Sequence, residues 1–273
     1  MRERIDSPAN KKVKLAASLH SRKHREKEGL FIAEGIRLGE MAAAAGWDIV
    51  FGLYTTELGE QARGRQLLAQ LEAQGCLLCE TTAAVYRKAS ATDTPQGILL
   101  VMRQQKSRLQ ELPAAGKQPL YVVLDGVQDP GNAGTIIRTA DAVGADGVIL
   151  LKGSVDVFGD KTVRSTMGSL FHLPVCTDVT AEELMDFAAA QDLTLYATAL
   201  DESAQPHFAQ DFTRGTAIVF GNEGNGVSEA ILQRAAKTYI PMYGRAESLN
   251  VGVSAAVVLY EAVRQRQSQY LPQ

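Results

Sequence analysis

The chain has 273 residues, 45% of them hydrophobic and 22% charged, and a formal net charge of −3. That length favours two domains over one, and that composition is ordinary for a globular protein able to bury a core in each. No apolar run approaches the roughly 20 residues needed to cross a bilayer, and the charged opening Met1-Arg-Glu-Arg has no signal-peptide core, so a cytoplasmic protein away from membranes is expected.

The first predicted element is a helix over Pro8 to Ser21, with Lys11, Lys12 and Lys14 near its start. From Lys11 to Lys27 there are seven Lys/Arg and one Glu, whereas Thr180 to Glu229 carries nine acidic residues against Arg214 alone. The modest net charge therefore hides a basic arm, in which Lys11, Lys12, Lys14, Arg22, Lys23 and Arg25 are candidates to grip nucleic-acid phosphates. Such binding is independent of base sequence and sensitive to salt. The bland alternative is a solvated helix face. Alternation follows: strand Leu30 to Ala33, helix Ile36 to Ala45, strand Ile49 to Tyr54, helix Leu58 to Gln74, strand Leu77 to Cys79 and strand Ile98 to Met102. Cys76-Leu-Leu-Cys79 has the spacing of half a zinc site but lacks a second Cys/His pair. In a strand, residues three apart point to opposite faces, so these thiols read as buried structural groups and no metal is expected.

Arg103 to Pro119 is polar, holds two prolines and a glycine, and reads as a linker. The expected domains are therefore 1–103 and 120–273, joined by 104–119. Beyond the linker, strands are expected near Tyr121 to Leu124, Val148 to Leu151, Leu193 to Ala197, Ile218 to Phe220 and Tyr239 to Ile240. With helices between them, they argue for a mostly parallel α/β sheet covered on both faces. Ala133, Ile136, Ile137, Ala140 and Val143 mark one buried helix face after Gly131, and Arg138 lies off it. A last helix, Val251 to about Gln265, is apolar over more than one stripe, so it is central to its domain or covered by a second subunit.

Three loops in this second half follow strand-like runs: Asn132-Ala-Gly-Thr-Ile-Ile-Arg-Thr-Ala140, Gly221-Asn-Glu-Gly-Asn-Gly226, and Ile240-Pro-Met242 continuing to Ser248-Leu-Asn250. Loops leaving the carboxyl ends of strands are where α/β proteins bind ligands, and three such loops suggest one composite pocket. The glycine loop has the order G-x-x-G-x-G, with its helix expected only after Ser228. The dinucleotide fingerprint G-x-G-x-x-G is absent, and so is a Walker A sequence, which disfavours a nicotinamide-dependent enzyme or an ATPase.

Taken together and in order, these motifs resemble the SpoU (TrmH) family of the SPOUT superfamily. The similarity covers nearly all of Tyr121 to Arg266, including Lys161-Thr-Val-Arg-Ser-Thr-Met-Gly-Ser-Leu-Phe-His-Leu-Pro-Val175. A weaker likeness over Ser7 to Gly35, centred on Phe31-Ile-Ala-Glu-Gly-Ile-Arg, is to the family's accessory substrate-binding domain, related to a ribosomal-protein fold. The resemblance implies a C-terminal domain with a deep trefoil knot, which hydrophobic periodicity could not show. It also implies a homodimer and an RNA 2′-O-ribose methyltransferase using S-adenosyl-L-methionine, with ribosomal RNA preferred and transfer RNA the alternative. A catalytically silent RNA-binding protein of the same fold is the reading from another class.

Carried over by position, Gly221, Ile240 and Leu249 would form the methyl-donor site, with Thr198 to Leu200 and Met242 lining it. Arg138 takes the catalytic position. A guanidinium stays protonated far above neutral pH and makes a poor base, so binding of a phosphate or the 2′-oxygen is preferred to proton abstraction. Asn132 is expected to fix the loop and the ribose, Glu223 to orient Arg138 or the loop, and Ser248 and Asn250 to offer polar groups. Six helical residues turn through about 600°, so Asn132 and Arg138 share no face and converge only if Asn132 sits in the loop preceding the helix, where it is expected. Two positions depart from the family pattern. Asp160 stands where Asn is usual, which bears on substrate contact, and Gly252 stands where a small side chain is expected, loosening the last helix by up to about 1 kcal/mol.

Overall fold

A computed structural model describes residues 2–112 and 118–268. It divides into two compact units, one formed by residues 1–105 and 156–172 and the other by 106–155 and 173–273.

The first unit contains β1 (Arg2–Ile5), α1 (Lys11–Ser18), α2 (Arg22–Glu28), β2 (Leu30–Glu34), α3 (Ile36–Ala44), β3 (Ile49–Thr55), α4 (Thr56–Glu60), α5 (Ala62–Ala73), β4 (Leu78–Thr81), α6 (Ala83–Tyr86) and β5 (Ile98–Arg103). Its sheet has the order β1-β4-β3-β5-β2 and is mixed, with β5 antiparallel to both β2 and β3. One face packs Ile32, Leu53, Leu99 and Val101 against Val13 and Ala16 from α1, Leu19 at its C-cap, and Val85 and Tyr86 from α6. The strand β1 was not expected from sequence, since Arg2–Ile5 is charged; it is held by parallel pairing with β4. The expected helix over 8–21 is shorter, and a second helix follows it, ending at Gly29. The helix expected over 58–74 is broken at Gln61, which adopts an extended conformation.

The second unit begins at Lys106, and residues 113–117, in the middle of the expected linker, lie outside the described residues. Leu109 and Leu112, ahead of that gap, are buried in its core. Then come β6 (Leu120–Asp125), α7 (Pro130–Ala142) and β7 (Gly147–Leu151). Residues 156–172, with α8 (Asp160–Ser165), belong to the first unit, although the sequence reading placed them in the C-terminal domain. An aromatic cluster explains this: Phe31 packs 5.0 Å from Phe158 and 5.7 Å from Trp47, which packs 5.1 Å from Phe171.

The rest of the second unit is β8 (Val175–Val179), α9 (Ala181–Ala190), β9 (Thr194–Thr198), β10 (Gln205–Pro206), β11 (Thr216–Gly221), α10 (Glu229–Leu232), β12 (Ala236–Tyr239) and α11 (Val251–Ser268). Its seven strands run parallel in the order β10-β12-β9-β11-β6-β7-β8. Tyr121, Val123, Ile149 and Val219 face Leu184 and Phe187 of α9 and Ile231 of α10, while α7 and α11 pack against each other and meet the sheet at β7 and β11. The α/β class and the parallel sheet expected from sequence are present. Alternate residues along β6 are all buried, as strands covered on both faces require.

Two features position the loops. Because β12 lies outside β9, the segment 240–250 must return past the ends of β9 and β11 to reach α11. At the far end of α11, Arg266 donates to the carbonyl oxygens of Gln118, Pro119, Phe212 and Arg214, at 2.8 to 3.2 Å.

Candidate active site

Three neighbouring strands, β12, β9 and β11, end beside one another, and the loops leaving them line a cavity of about 470 Å³. That is within the range of small-molecule sites, roughly 300–1,000 Å³. Thr198, Ala199 and Leu200 come from the end of β9, Gly221 to Glu223 and Gly226 from β11, and Thr238 to Ile240 and Met242 from β12. Glu247, Ser248, Leu249, Asn250, Val251 and Ser254 complete it from the returning segment and the start of α11. Thus Thr198, Leu200, Gly221, Ile240, Met242 and Leu249 all line one cavity, as do Glu223, Ser248 and Asn250. Asn132 and Arg138 are not among its lining residues.

The glycine loop is folded back on itself. Asn222 and Gly226 exchange two backbone hydrogen bonds of 2.9 Å, and Gly226 has φ +71°, a conformation that a side chain disfavours. A Cβ on Gly221 would lie 2.2 Å from the Gly226 carbonyl carbon and the Val227 nitrogen, so nothing larger fits. Asn222 braces the turn: its Oδ1 accepts from the Gly224 and Asn225 amides at 2.9 Å, and its Nδ2 donates to the Gly126 carbonyl at 2.8 Å. Asp125, at the end of β6, accepts from the Ser228 amide at 2.7 Å. Neither Asn222 nor Asp125 was singled out from sequence. An acid at a strand end and an Asn opening a glycine turn were the available signals.

Glu223 connects this loop to α7. Its carboxylate accepts from Asn132 Nδ2 at 2.9 Å and from the Asp129 and Gln128 amides at 3.2 and 3.3 Å. Partial burial works against ionisation, but the bonds from Asn132 and the backbone amides outweigh it and hold the carboxyl below its ordinary range. Asn132 Oδ1 in turn accepts from Asn250 Nδ2 at 2.8 Å. Asn250 caps α11, its Oδ1 accepting from the Gly252 and Val253 amides. One chain of side-chain amides and a carboxylate therefore ties the starts of α7 and α11 to the glycine loop.

Asn132 does not precede the helix. Asp129 is the N-cap, accepting from the Asn132 amide at 2.7 Å, and Pro130 opens α7, so Asn132 lies in its first turn. The condition under which Asn132 and Arg138 would converge is not met: Arg138 lies about 9 Å further along the helix and on another side. Its side chain is exposed and makes no hydrogen bond or ion pair with any described residue. Glu223 therefore orients Asn132 and the loop, and does not touch Arg138.

The two departures from the family pattern have structural partners. Gly252 is buried, and a Cβ there would meet Thr135 Cγ2 of α7 at 3.1 Å, so the missing side chain lets α11 approach α7 closely. Asp160 belongs to the first unit, where its Oδ2 lies 2.6 Å from Nδ1 of His20; the His20 Nε2 lies 2.9 Å from the Ala89 carbonyl oxygen.

In the basic arm, Lys11, Lys14 and Lys23 are exposed. Lys12 donates to Glu3 at 2.7 Å and Arg22 to Glu26 at 2.7 Å. Arg25 must be removed from the phosphate-gripping set. It is 5% exposed, its guanidinium donates to Asp156 Oδ2 at 2.8 and 2.9 Å, and it also donates to the Leu19 and His20 carbonyls. A cation so enclosed ties α2 to Asp156 and uses four of its five N–H donors inside the first unit. Cys76 and Cys79 are buried, and burial raises both thiols to about 11.

Comparison with known proteins gives this architecture its relatives. The family model described as SpoU rRNA Methylase family matches residues 119–260, and that of the MRM3-like substrate binding domain matches residues 10–100. The chain belongs to the SpoU rRNA methylase family. It is 36% identical to the 23S rRNA (guanosine(2553)-2'-O)-methyltransferase RlmP of Bacillus subtilis, over 94% of this chain and 98% of that one. It is 39% identical to the tRNA (guanosine(18)-2'-O)-methyltransferase of Thermus thermophilus, over 59% of this chain and 83% of the relative. Among solved structures it is similar to an AdoMet-bound rRNA methyltransferase from Sinorhizobium meliloti, with TM-score 0.86, 33% identity and 99% of each chain covered.

Proposed function

We propose that this SpoU-family protein transfers a methyl group from S-adenosyl-L-methionine to a ribose 2′-hydroxyl of ribosomal RNA. The observation that carries the reading is the joining of Glu223, Asn132 and Asn250 at the mouth of a cavity walled by Gly221, Ile240, Met242 and Leu249. The cavity suits an adenosyl ligand, being largely apolar with a few convergent polar groups and walled by loop backbone. When bound there, the donor supplies a methyl already activated on a sulfonium. What remains for the protein is alignment of the hydroxyl and removal of its proton.

In this reading Thr198, Leu200, Gly221, Ile240, Met242 and Leu249 hold the donor and exclude water. Asn132 and Asn250, fixed by Glu223 and by the cap of α11, position the ribose, and Ser248 offers its hydroxyl there. Arg138, exposed and without a hydrogen bond or ion pair to any described residue, is assigned to an RNA phosphate beyond the ribose that Asn132 positions. Lys11, Lys14 and Lys23 grip phosphates, with Lys12 and Arg22 available after exchange of their exposed acidic partners. The requirement for a 2′-hydroxyl selects RNA over DNA.

Ribosomal RNA is favoured over transfer RNA because likeness to the 23S rRNA enzyme runs through both units, while likeness to the tRNA enzyme covers 59% of the chain. A cytoplasmic homodimer completes the proposal. Val253 and Tyr260 of α11 are exposed, and a second copy would cover them. Among the described residues no helix is long and apolar enough to cross a membrane.

The test is incubation of the pure protein with labelled S-adenosyl-L-methionine and total RNA from a methylation-deficient strain, followed by mapping of 2′-O-methylated positions. Label at one ribosomal RNA ribose is expected. Label on transfer RNA alone would replace the substrate, and absence of donor binding would overturn the activity.

A further inference from the structure

Six large apolar side chains are exposed among the described residues, and three of them, Leu200, Tyr243 and Leu249, lie on the loops forming the mouth of the cavity. Leu200 and Leu249, 75% and 38% exposed, line it, so a ligand inside would cover part of each. Tyr243 is different. It is 91% exposed, it does not line the cavity, and nothing held inside would cover its ring. It directly follows Met242, which does line the cavity, so its Cα is about 3.8 Å from that of a wall residue. Arg245, also exposed, follows two positions later on the same segment.

The chemistry proposed for the site fixes what must lie at this rim. A 2′-hydroxyl that reaches a methyl in the cavity belongs to a ribose whose base is attached at the adjacent carbon, so that base must lie within a few ångströms of the mouth. Sequence-specific RNA recognition works on bases splayed out of a helix, and such bases are held on aromatic side chains or guanidinium planes. Phe208 and Tyr260 are also exposed, but they lie on the turn at residues 207–209 and on α11 beyond its lining residues Val251 and Ser254.

We infer that Tyr243 is the stacking platform for the base of the target nucleoside, or of its immediate neighbour, with Arg245 binding the adjoining phosphate. The inference rests on the proposed methyl transfer to RNA. It assigns a substrate-recognition role to a side chain outside the donor cavity and separates that role from donor binding.

The experiment compares wild type, Tyr243→Ala, Tyr243→Phe and Arg245→Gln on an unmodified transcript of bacterial 23S ribosomal RNA. Steady-state methylation, RNA affinity by fluorescence anisotropy, S-adenosylhomocysteine affinity by calorimetry and mass in solution are measured. Loss of a stacked base predicts that Tyr243→Ala weakens RNA binding and raises KM by about 5- to 100-fold. Donor affinity and mass should not change. Tyr243→Phe should retain RNA binding within about twofold because the ring face remains, and Arg245→Gln should reduce the salt slope of binding by about one. RNA affinity unchanged in Tyr243→Ala, an equal loss of donor affinity, or a change in mass showing that the ring is covered by a second copy would each overturn the inference. Methylation by the wild type with an indifferent Tyr243→Ala leaves the function standing and removes only the platform. A wild type that binds neither donor nor RNA removes both.

Discussion

Replacing Gly221 by alanine tests whether the glycine loop is built by close backbone approach. The added Cβ would lie 2.2 Å from the Gly226 carbonyl carbon and 2.5 Å from its oxygen. Ordinary carbon contacts begin near 3.5 Å, so the loop must retreat by more than about 1 Å. The retreat breaks the two 2.9 Å backbone bonds between Asn222 and Gly226. At about 0.5–1.5 kcal/mol each, their loss comes to roughly 1–3 kcal/mol. Because the same loop walls the cavity, that energy must be recovered when ligand binds, and S-adenosylhomocysteine affinity should fall by roughly 5- to 150-fold. Gly224→Ala is the matched control, since a Cβ there meets only Asn222 Oδ1 at an ordinary 3.6 Å. Calorimetric titration of the two variants decides the matter. If Gly221→Ala bound the ligand as tightly as Gly224→Ala, the backbone-wall account would be wrong.

Further expectations concern other parts of the molecule. Arg138→Lys and Arg138→Ala should lose methyl transfer by at least about a hundredfold while keeping donor affinity, because Arg138 does not line the cavity; parallel loss of donor binding would refute its assigned role. Arg25→Ala should cost about 3–5 kcal/mol by leaving Asp156 without its cation, seen as a drop of roughly 6–20 °C in the melting of the first unit. The salt slope of RNA binding should stay the same; a reduced slope would return Arg25 to the phosphate contacts. For Glu223, whose folded pKa is depressed, the stabilisation is present above its ordinary value of about 4.3 and is lost as pH falls through the lower folded value. Ligand affinity should thus hold through the ordinary carboxylate range and fall only as pH drops through the lower folded value, and Glu223→Gln should remove that acid limb. His20 has the opposite sign: its bond to Asp160 raises its pKa, so the pair stabilises the first unit below about pH 6.5 and the benefit fades as pH rises through the raised value. Melting curves of wild type and His20→Asn across that range should converge at high pH.

The sequence was most informative where one period dominated. The spacing of Ala133, Ile136, Ile137 and Ala140 marked the buried face of α7, and the apolar runs of β6, β7, β9 and β11 marked a sheet covered on both sides. Motif order drew attention to Gly221, Glu223, Ile240, Met242, Leu249 and Asn250, residues that the fold gathers at one cavity. Periodicity failed where tertiary contacts decide the outcome. The charged β1 is held by its neighbour β4, and residues 156–172 join the first unit through Phe158, Phe171 and the buried Arg25–Asp156 pair. A charge run cannot distinguish a solvated arginine from an enclosed one, so Arg25 was grouped with its neighbours. The start of α7 was misjudged because Pro130 and Gly131 look like loop residues, whereas proline suits the first helical turn and Asp129 supplies the cap.

The anchoring of α11 carries a consequence for how the protein becomes active. Arg266 binds carbonyls from residues 118 and 119 and from 212 and 214, so it gathers the entrances to β6 and β11, strands nearly a hundred residues apart in sequence. Those carbonyls are in place only after the two strands have paired, and Ser248 to Ser254 cannot close the cavity until α11 has docked. During synthesis, a ribosome would thus carry a nascent chain whose sheet can form while its ligand site stays open. Competence for binding would arrive abruptly, with the docking of α11 on the paired sheet, rather than growing strand by strand.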